Sequence, residues 1–182
     1  MSPIVKAPNS VLAQKAKEII KVDKTVLKVV EEMKTSLLSA TDPIGVGLAA
    51  PQIGKSLQLF ITKPTAQSDV GVFINPKIKK IEDKKTNSKK KKIKAKKLEG
   101  CLSLPDIWGE VTRHPIIQIE YLDEYGRKHN KKFSGFMATI IQHEMDHLNG
   151  VLFPKRVFEQ KGVLYKSEKN EKGEEIFDEI KI

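Results

Sequence analysis

The residues of this 182-residue chain best suited to chemistry are two histidines four positions apart, His143 and His147, with Glu144 between them. They form an H-E-x-x-H motif. If the segment is helical, positions i and i+4 lie one turn apart on the same face, so both imidazoles can bind one metal ion. Glu144 then lies beside the ion, where its carboxylate can act as a general base.

Two other segments carry residues that could complete such a site. Residues 45–52 have the sequence GVGLAAPQ, and residues 99–105 have the sequence EGCLSLP. Cys101, the one cysteine of the chain, can supply a thiolate to the metal. Three protein ligands would leave one coordination position for water, as in catalytic zinc sites. A metal ion lowers the pKa of such a water from about 15.7 towards about 7.

The H-E-x-x-H motif is predicted to lie on a helix that Ser134 caps and Gly150 ends. An apolar stripe on one face of this helix runs directly into the ligand pair, through Phe136, Ile140, His143 and His147. A second helix is predicted from Lys24, after the capping residue Asp23, to near Ala40. Its apolar residues also recur at helical spacing, at Val26, Val30, Met33 and Leu37.

The remaining elements are predicted to be short strands. Apolar and polar residues alternate over residues 56–62 and 117–121, and a strand over residues 70–74 is expected to end at Asn75-Pro76. Residues 123–126 are typical of a hairpin turn into a strand over residues 127–133. The polar segment 166–175 is predicted to be an exposed turn. This combination of short strands and few helices predicts an α+β fold.

Length and composition indicate a single domain over residues 1–182, and the candidate metal ligands would make it a catalytic one. The chain is 39% hydrophobic, and no apolar run approaches the about 18 residues of a transmembrane helix. One cysteine cannot form an internal disulfide, and the N-terminus lacks the apolar core of a signal peptide. We therefore expect a cytoplasmic protein with no membrane partner.

The formal net charge of +10 is concentrated in one segment. Residues 77–97 contain 12 lysines and two acidic residues, Glu82 and Asp83, whereas the rest of the chain is balanced. Such a lysine block is typical of a solvated loop or hairpin insertion. The alternative is transient contact with a polyanion such as ribosomal RNA. No aromatic residue is interleaved for base stacking, and no DNA partner is expected.

The three segments together resemble the signatures of the peptide deformylases, G-x-G-L-A-A-x-Q, E-G-C-L-S and Q-H-E-x-D-H, in the same order. The resemblance covers roughly residues 30–153. It implies mixed or antiparallel sheets packed around the helix of the H-E-x-x-H motif, with Cys101, His143 and His147 on one divalent metal ion. It also implies the reaction, which is removal of the N-formyl group from the N-terminal formylmethionine of newly made polypeptides, with release of formate.

The resemblance assigns roles to further residues. The side-chain amide of Gln52 and the backbone N–H of Leu102 are expected to stabilise the oxyanion that forms on the attacked formyl group. Arg113 is the candidate for holding the peptide backbone. The methionine side chain needs an adjacent apolar pocket, for which the candidates are Val46, Phe136 and Ile140. Gly47 is a further candidate for contact with the substrate. The resemblance favours Fe²⁺ in the cell, and the same set of ligands also suits Zn²⁺, Ni²⁺ or Co²⁺.

Two other functions compete with this one. A thermolysin-like zinc protease needs a third ligand downstream of the motif, and Glu168 lies 21 residues after His147 in a polar segment. An RNA-binding module would use the lysine block and need no metal. A deformylase thus requires Cys101 next to both histidines, the protease requires Glu168 there, and the RNA-binding module requires neither.

Overall fold

The computed structural model describes residues 2–82 and 98–181. Within these residues, every pairing between named strands is antiparallel, and the strands form one sheet of five and one of four. The helices are α1 (Lys24–Ser39), α2 (Gly135–Leu148) and α3 (Phe153–Glu159). Short 3-10 turns occupy Ser10–Ala13 and Ala50–Ile53.

The five-stranded sheet contains β1 (Gly47–Ala49), β2 (Leu59–Thr62), β3 (Gly71–Glu82), β6 (Ile116–Leu122) and β7 (Lys128–Ser134). The four-stranded sheet contains β4 (Leu98–Cys101), β5 (Leu104–Glu110), β8 (Leu164–Lys169) and β9 (Glu175–Glu179). The strand orders are β1-β2-β3-β6-β7 in the first sheet and β4-β5-β8-β9 in the second. The predicted α+β class with antiparallel sheets is confirmed.

The five-stranded sheet lies between α1 and α2, and both of its faces are buried at β2. Leu59 and Ile61 pack in one core with the apolar face of α1, whereas Phe60 packs in a second core with α2. β2 is wholly buried, and with four residues it is shorter than the strand predicted over residues 56–62. A third cluster joins Cys101 and Leu164 of the other sheet to α3. The helix that carries the motif is therefore central, as the resemblance implies.

Several sequence predictions for single elements are confirmed. The Asp23 carboxylate accepts hydrogen bonds from Thr25 and Val26 at the start of α1, and Ala40 follows its end. β6 alternates between buried and half-buried residues, and a turn at residues 123–126 leads into β7. Ser134 and Gly150 flank α2 as predicted, although the Ser134 side chain makes no capping hydrogen bond.

The prediction that a strand ends at Asn75-Pro76 is wrong, because β3 continues to Glu82. A register shift against β6 between Ile74 and Lys77 takes Pro76 out of the ladder, so its missing N–H costs no pairing. Asn75, with a φ of 50°, exchanges side-chain hydrogen bonds with the backbone of Ile19. Residues 77–82 of the lysine block therefore belong to the sheet, and residues 83–97 lie outside the described residues.

The tail is also more ordered than the sequence indicates. Residues 166–169 belong to β8 and Glu175 begins β9, so the predicted turn over residues 166–175 shrinks to residues 170–174. The tail is polar because β9 is exposed to solvent along its whole length. None of the helices in the described ranges is long and apolar enough to cross a membrane.

Candidate active site

Three candidate metal ligands converge at the centre of the molecule. Cys101 is the last residue of β4, and His143 and His147 lie one turn apart on α2. One ligand atom from each residue lies within 4.8 Å of the others, and the Cys101 Sγ lies 3.2 Å from the His147 Nε2. Two imidazole nitrogens and one thiolate form a set that suits a divalent transition metal.

A carboxylate outside the ligand set orients His143. The Nδ1 of His143 lies 3.1 Å from the Oε2 of Glu99, which can accept its proton. This contact leaves the Nε2 of His143 for a metal, which is the usual arrangement at histidine sites. Burial opposes a proton on His143, but the Cys101 thiolate and Glu99 raise its pKa well above the ordinary value. The surroundings of these ligands therefore favour a cation.

The Cys101 sulfur lies in an environment that favours its thiolate. Burial would raise its pKa, but His147 and His143 together lower it well below the ordinary value. The backbone N–H of Ser103 and the Nε2 of Gln52 also point at the sulfur, at 3.4 and 3.6 Å. Since a thiolate is the form that binds metals, the geometry and the charge of the site agree.

A buried ionic network supports this ligand set. Arg113 donates two hydrogen bonds to Glu99, at 2.9 and 3.0 Å, and a third to Asp146 at 2.6 Å. Asp146 in turn accepts from Arg156 of α3 at 2.7 Å. The side chains of Arg113, Glu99 and Asp146 are all at most 11% exposed. The network thus connects β4, α2 and α3 to the histidine that Glu99 orients.

Glu144 is buried beside the ligands with one free oxygen. Its side chain lines the cavity at the site, and within the described residues its Oε2 has no hydrogen-bond partner. Burial raises the pKa of Glu144 to about 7, although the two histidines oppose this effect. Gly47 lies against its other oxygen, and a Cβ on Gly47 would come within 2.4 Å of the Oε1. A carboxylate so placed can exchange a proton with a water in the cavity.

The amide of Gln52 is fixed in one orientation. Its Oε1 accepts the backbone N–H of Ala49 at 2.8 Å, so its Nε2 must point towards Ser103 and the Cys101 sulfur. Gln52 is 2% exposed and sits on the 3-10 turn Ala50–Ile53, directly after β1. A donor on a buried, rigid turn is suited to stabilise negative charge that develops beside the ligands.

A cavity of about 460 Å³ opens onto this site. The residues that the sequence predicted for catalysis and substrate binding and that line it are Val46, Gly47, Gln52, Leu102, Arg113, Phe136, Ile140 and Glu144. Ile140 is buried and Phe136 is half-exposed at the mouth, so both could contact an apolar side chain. The guanidinium of Arg113 is bound to Glu99 and Asp146, and its contact with the peptide backbone stays a prediction.

Sequence reasoning missed several residues of the cavity. Thr139 lies four positions before His143 on the same helical face, so the periodicity of α2 could have found it. Ile44, 77% exposed at the mouth, also lines the cavity, and only the fold brings it there. Trp108 lines the cavity too, which is one of the two roles that the sequence allows for it, packing or lining the site mouth. Glu168 is exposed and paired with Lys166, so the third ligand that a thermolysin-like protease would need is not at the histidines.

Comparison with known proteins adds independent information. The family model for polypeptide deformylase matches residues 1–162, which excludes β8 and β9. A peptide deformylase of Synechocystis sp. is 39% identical over 152 residues, which cover 82% of this chain and 75% of that protein. A peptide deformylase of Mesorhizobium japonicum is 36% identical over 156 residues, with coverages of 84% and 82%.

Solved structures agree with these relatives. A peptide deformylase from Thermus thermophilus superposes with a TM-score of 0.75 and 36% identity, over 88% of each chain. The peptide deformylase of Thermotoga maritima gives a TM-score of 0.74 and 34% identity, over 86% of this chain and 97% of that one. Sequence and fold are thus similar to the same set of enzymes.

Proposed function

The chain belongs to the polypeptide deformylase family and removes the N-formyl group of nascent peptides, and we propose that it does so at Cys101, His143 and His147. One observation carries this assignment of residues. The three ligand atoms lie within 4.8 Å of one another, directly beside the buried and partly unpaired carboxylate of Glu144. A metal centre and a general base therefore share one cavity.

The reaction is hydrolysis of a formamide. When bound, a divalent metal ion activates water and polarises the formyl oxygen as a Lewis acid. Glu144 accepts a proton from the attacking water and delivers it to the nitrogen of the leaving amine, so the products are formate and a free N-terminus. Its pKa, which burial raises to about 7, suits both transfers near neutral pH.

Two donors stabilise the charge on the formyl oxygen during this attack. The Nε2 of Gln52 is held rigidly by the Ala49 N–H on the other end of the amide. The backbone N–H of Leu102, next to the ligand Cys101, is the second proposed donor. Each such donor contributes about 10² to 10³ in rate, because it is aimed before charge develops.

The substrate side chain occupies the apolar part of the same cavity. Val46 and Gly47 form one wall, and Phe136 and Ile140 of α2 form another. Phe136 and Ile140 lie one or two turns before His143, so a methionine side chain bound against them places its formyl group near the ligands. Arg113 acts on the substrate only indirectly, through the carboxylates that it binds.

Replacing Glu144 by Gln tests the assignment of the base. Glu144→Gln is expected to keep its metal and to lose at least about 10² in kcat on a formyl-Met peptide, because the amide cannot accept the proton. Glu31→Gln, which changes an exposed carboxylate of α1, is the matched control. Turnover by Glu144→Gln near the wild-type rate would show that another group is the base.

The metal that serves this site in the cell is proposed to be Fe²⁺. The two nitrogens and one sulfur also suit Zn²⁺, Ni²⁺ and Co²⁺, so the geometry alone favours no single ion. Elemental analysis of protein purified without oxygen, together with reconstitution by each ion, tests the assignment. Higher activity with Zn²⁺ than with Fe²⁺, and zinc in the anaerobic protein, would contradict it.

We also propose that the lysine block makes transient contact with the ribosome, in the cytoplasm where nascent chains are made. Lys77 and Lys80 are more than half exposed on β3, and the block holds the whole net charge of the chain. Binding through phosphate contacts should weaken steeply with salt. Ribosome co-sedimentation at two salt concentrations, with wild type and with a variant whose lysines over residues 84–97 are replaced by serine, tests the contact. Equal binding by both forms would refute it.

A further inference from the structure

The segment of residues 2–7 connects α1 to both parts of the chain that carry the proposed oxyanion donors. At α1, the Oγ of Ser36 donates to the carbonyl of Ser2 at 2.6 Å. Further along, the backbone N–H of Val5 donates to the carbonyl of Gln52 at 2.8 Å. The first proposed donor, the side-chain amide of Gln52, therefore belongs to a residue whose backbone this segment binds.

The same segment binds the turn between β4 and β5, which directly follows Cys101. The backbone N–H of Ala7 donates to the carbonyl of Ser103 at 3.0 Å, and the Nζ of Lys6 donates to the carbonyl of Leu102. Ser103 is fully buried. Three consecutive residues of the segment, 5–7, thus bind the backbone at both proposed donors.

The contact of Lys6 reaches the Cys101 sulfur through a single peptide group. The carbonyl of Leu102 and the N–H of Ser103 belong to the same peptide, and that N–H lies 3.4 Å from the sulfur. A cation on the carbonyl oxygen polarises the peptide, so its N–H becomes a stronger hydrogen-bond donor. Holding this peptide also limits rotation of the turn that bears the N–H of Leu102.

We propose that Lys6 is a positioning residue of the active site, which acts through the peptide between Leu102 and Ser103 on the Cys101 thiolate and on the oxyanion donor at Leu102. This inference rests on the proposed function. A hydrogen bond to a thiolate withdraws electron density from the sulfur, and groups that bind a ligand in this way tune the metal. The Lys6 side chain is exposed, so packing contributes little to its effect.

Cobalt-substituted protein tests the proposal, because Co²⁺ bound to a thiolate has a charge-transfer absorption band in the near ultraviolet. Lys6→Met removes the ammonium and keeps most of the apolar side chain. Its band should move to longer wavelength, since a weaker N–H···S hydrogen bond raises the energy of the sulfur electrons. Its affinity for Co²⁺, measured against a chelator, should fall about 3- to 10-fold, less than the about 10- to 100-fold typical when a direct partner of a ligand is lost.

Kinetics on a formyl-Met peptide provide a second readout. Lys6→Met should lower kcat by about 3- to 10-fold and leave KM within about twofold, because oxyanion donors act mainly in the transition state. Lys6→Arg retains a cationic donor, so its kcat and its cobalt band should stay close to wild type. Lys15→Met, which removes an exposed lysine from a nearby part of the chain, is the matched control and should change neither.

Three results would overturn the inference. The first is a wild-type band, cobalt affinity and kcat in Lys6→Met. The second is a lower urea midpoint in Lys6→Met with an unmoved band, which would limit Lys6 to a structural role. The third is a Lys6→Arg variant that behaves like Lys6→Met. Wild-type protein is tested first, and failure to hydrolyse the peptide, or Co²⁺ binding without a sulfur band, would instead overturn the proposed function or its ligand set.

Discussion

Replacing Arg113 by Met should separate its two possible roles, in peptide binding and in support of the metal ligands. The guanidinium makes three hydrogen bonds to buried carboxylates, two to Glu99 and one to Asp146. Glu99 accepts from the metal ligand His143. Arg113→Met would keep most of the side-chain volume and remove the charge, so its effects would report on the ionic network.

The size of the effect follows from burial. Glu99 and Asp146 are balanced by Arg113 and Arg156, so loss of Arg113 leaves one buried negative charge without compensation. Removing one partner of a buried ion pair typically costs about 3–5 kcal/mol. Loss of a residue that orients a metal ligand by hydrogen bonding, without binding the metal itself, typically weakens metal affinity about 10- to 100-fold.

Two measurements test this prediction, urea unfolding and competition with a chelator. Arg127→Met is the matched control, because Arg127 also pairs with an aspartate but its side chain is 67% exposed. Exposed pairs contribute at most about 1 kcal/mol, so the control should unfold close to wild type and keep its metal. Arg113→Lys should fall between the two, since an ammonium cannot form the two-pronged contact with Glu99.

The result that would refute this reasoning is equally concrete. If Arg113→Met unfolds with the wild-type midpoint, retains metal against the chelator and only raises KM, then Arg113 binds the peptide backbone, as the sequence suggested. Its bonds to Glu99 and Asp146 would then be incidental to the ligand set. A loss of stability without loss of metal affinity would instead limit its role to folding.

Three further predictions concern other contacts of the fold. Gln52→Ala should lower kcat by about 10² to 10³ with metal retained, and should cost about 1–3 kcal/mol of stability because the Ala49 N–H loses its acceptor. Kinetics and urea unfolding measure these two effects, and a defect confined to KM would contradict the prediction. Gly47→Ala should lower kcat with metal retained, because its Cβ would displace the Glu144 carboxylate; wild-type turnover would contradict that. His129 and Arg127, against the effect of burial, hold the pKa of Asp123 well below its usual value, so its stabilisation is present at neutral pH and lost on acidification. Asp123→Asn should therefore unfold at lower urea than wild type at pH 7, and a difference that stays equal at pH 3 would refute this.

The sequence predicted the parts of the fold whose signals are local. α1 and α2 have apolar stripes and flanking residues within the segment itself, and β6 has a clear alternation. The course of β3 past Pro76 could not be predicted in this way. A proline normally ends a strand, and only the bulge against β6 and the contacts of Asn75 with Ile19 allow the chain to continue.

The same distinction applies to the site. His143, Glu144 and His147 are close in sequence, so one helical turn is enough to predict their arrangement. Cys101 and Gln52 are distant in sequence from this helical turn, and only the resemblance assigned them to the same site. In the structure, the Cys101 sulfur lies close to both Gln52 and His147. Neither helical spacing nor the resemblance establishes the role of Arg113, because a basic residue outside a tight motif is compatible with a peptide partner or with a carboxylate partner.

The ionic network explains why the residues flanking the ligands matter as much as the ligands do. Asp146 lies one position before His147, but its carboxylate binds Arg113 and Arg156 instead of joining the ligands. α2 therefore presents histidines on one face and an anchoring carboxylate on another, and β4 presents both Cys101 and Glu99. Because Arg113 bridges the two carboxylates, it fixes the relative positions of α2 and β4. The three ligands come from those two elements, so the network sets the geometry in which a metal is bound.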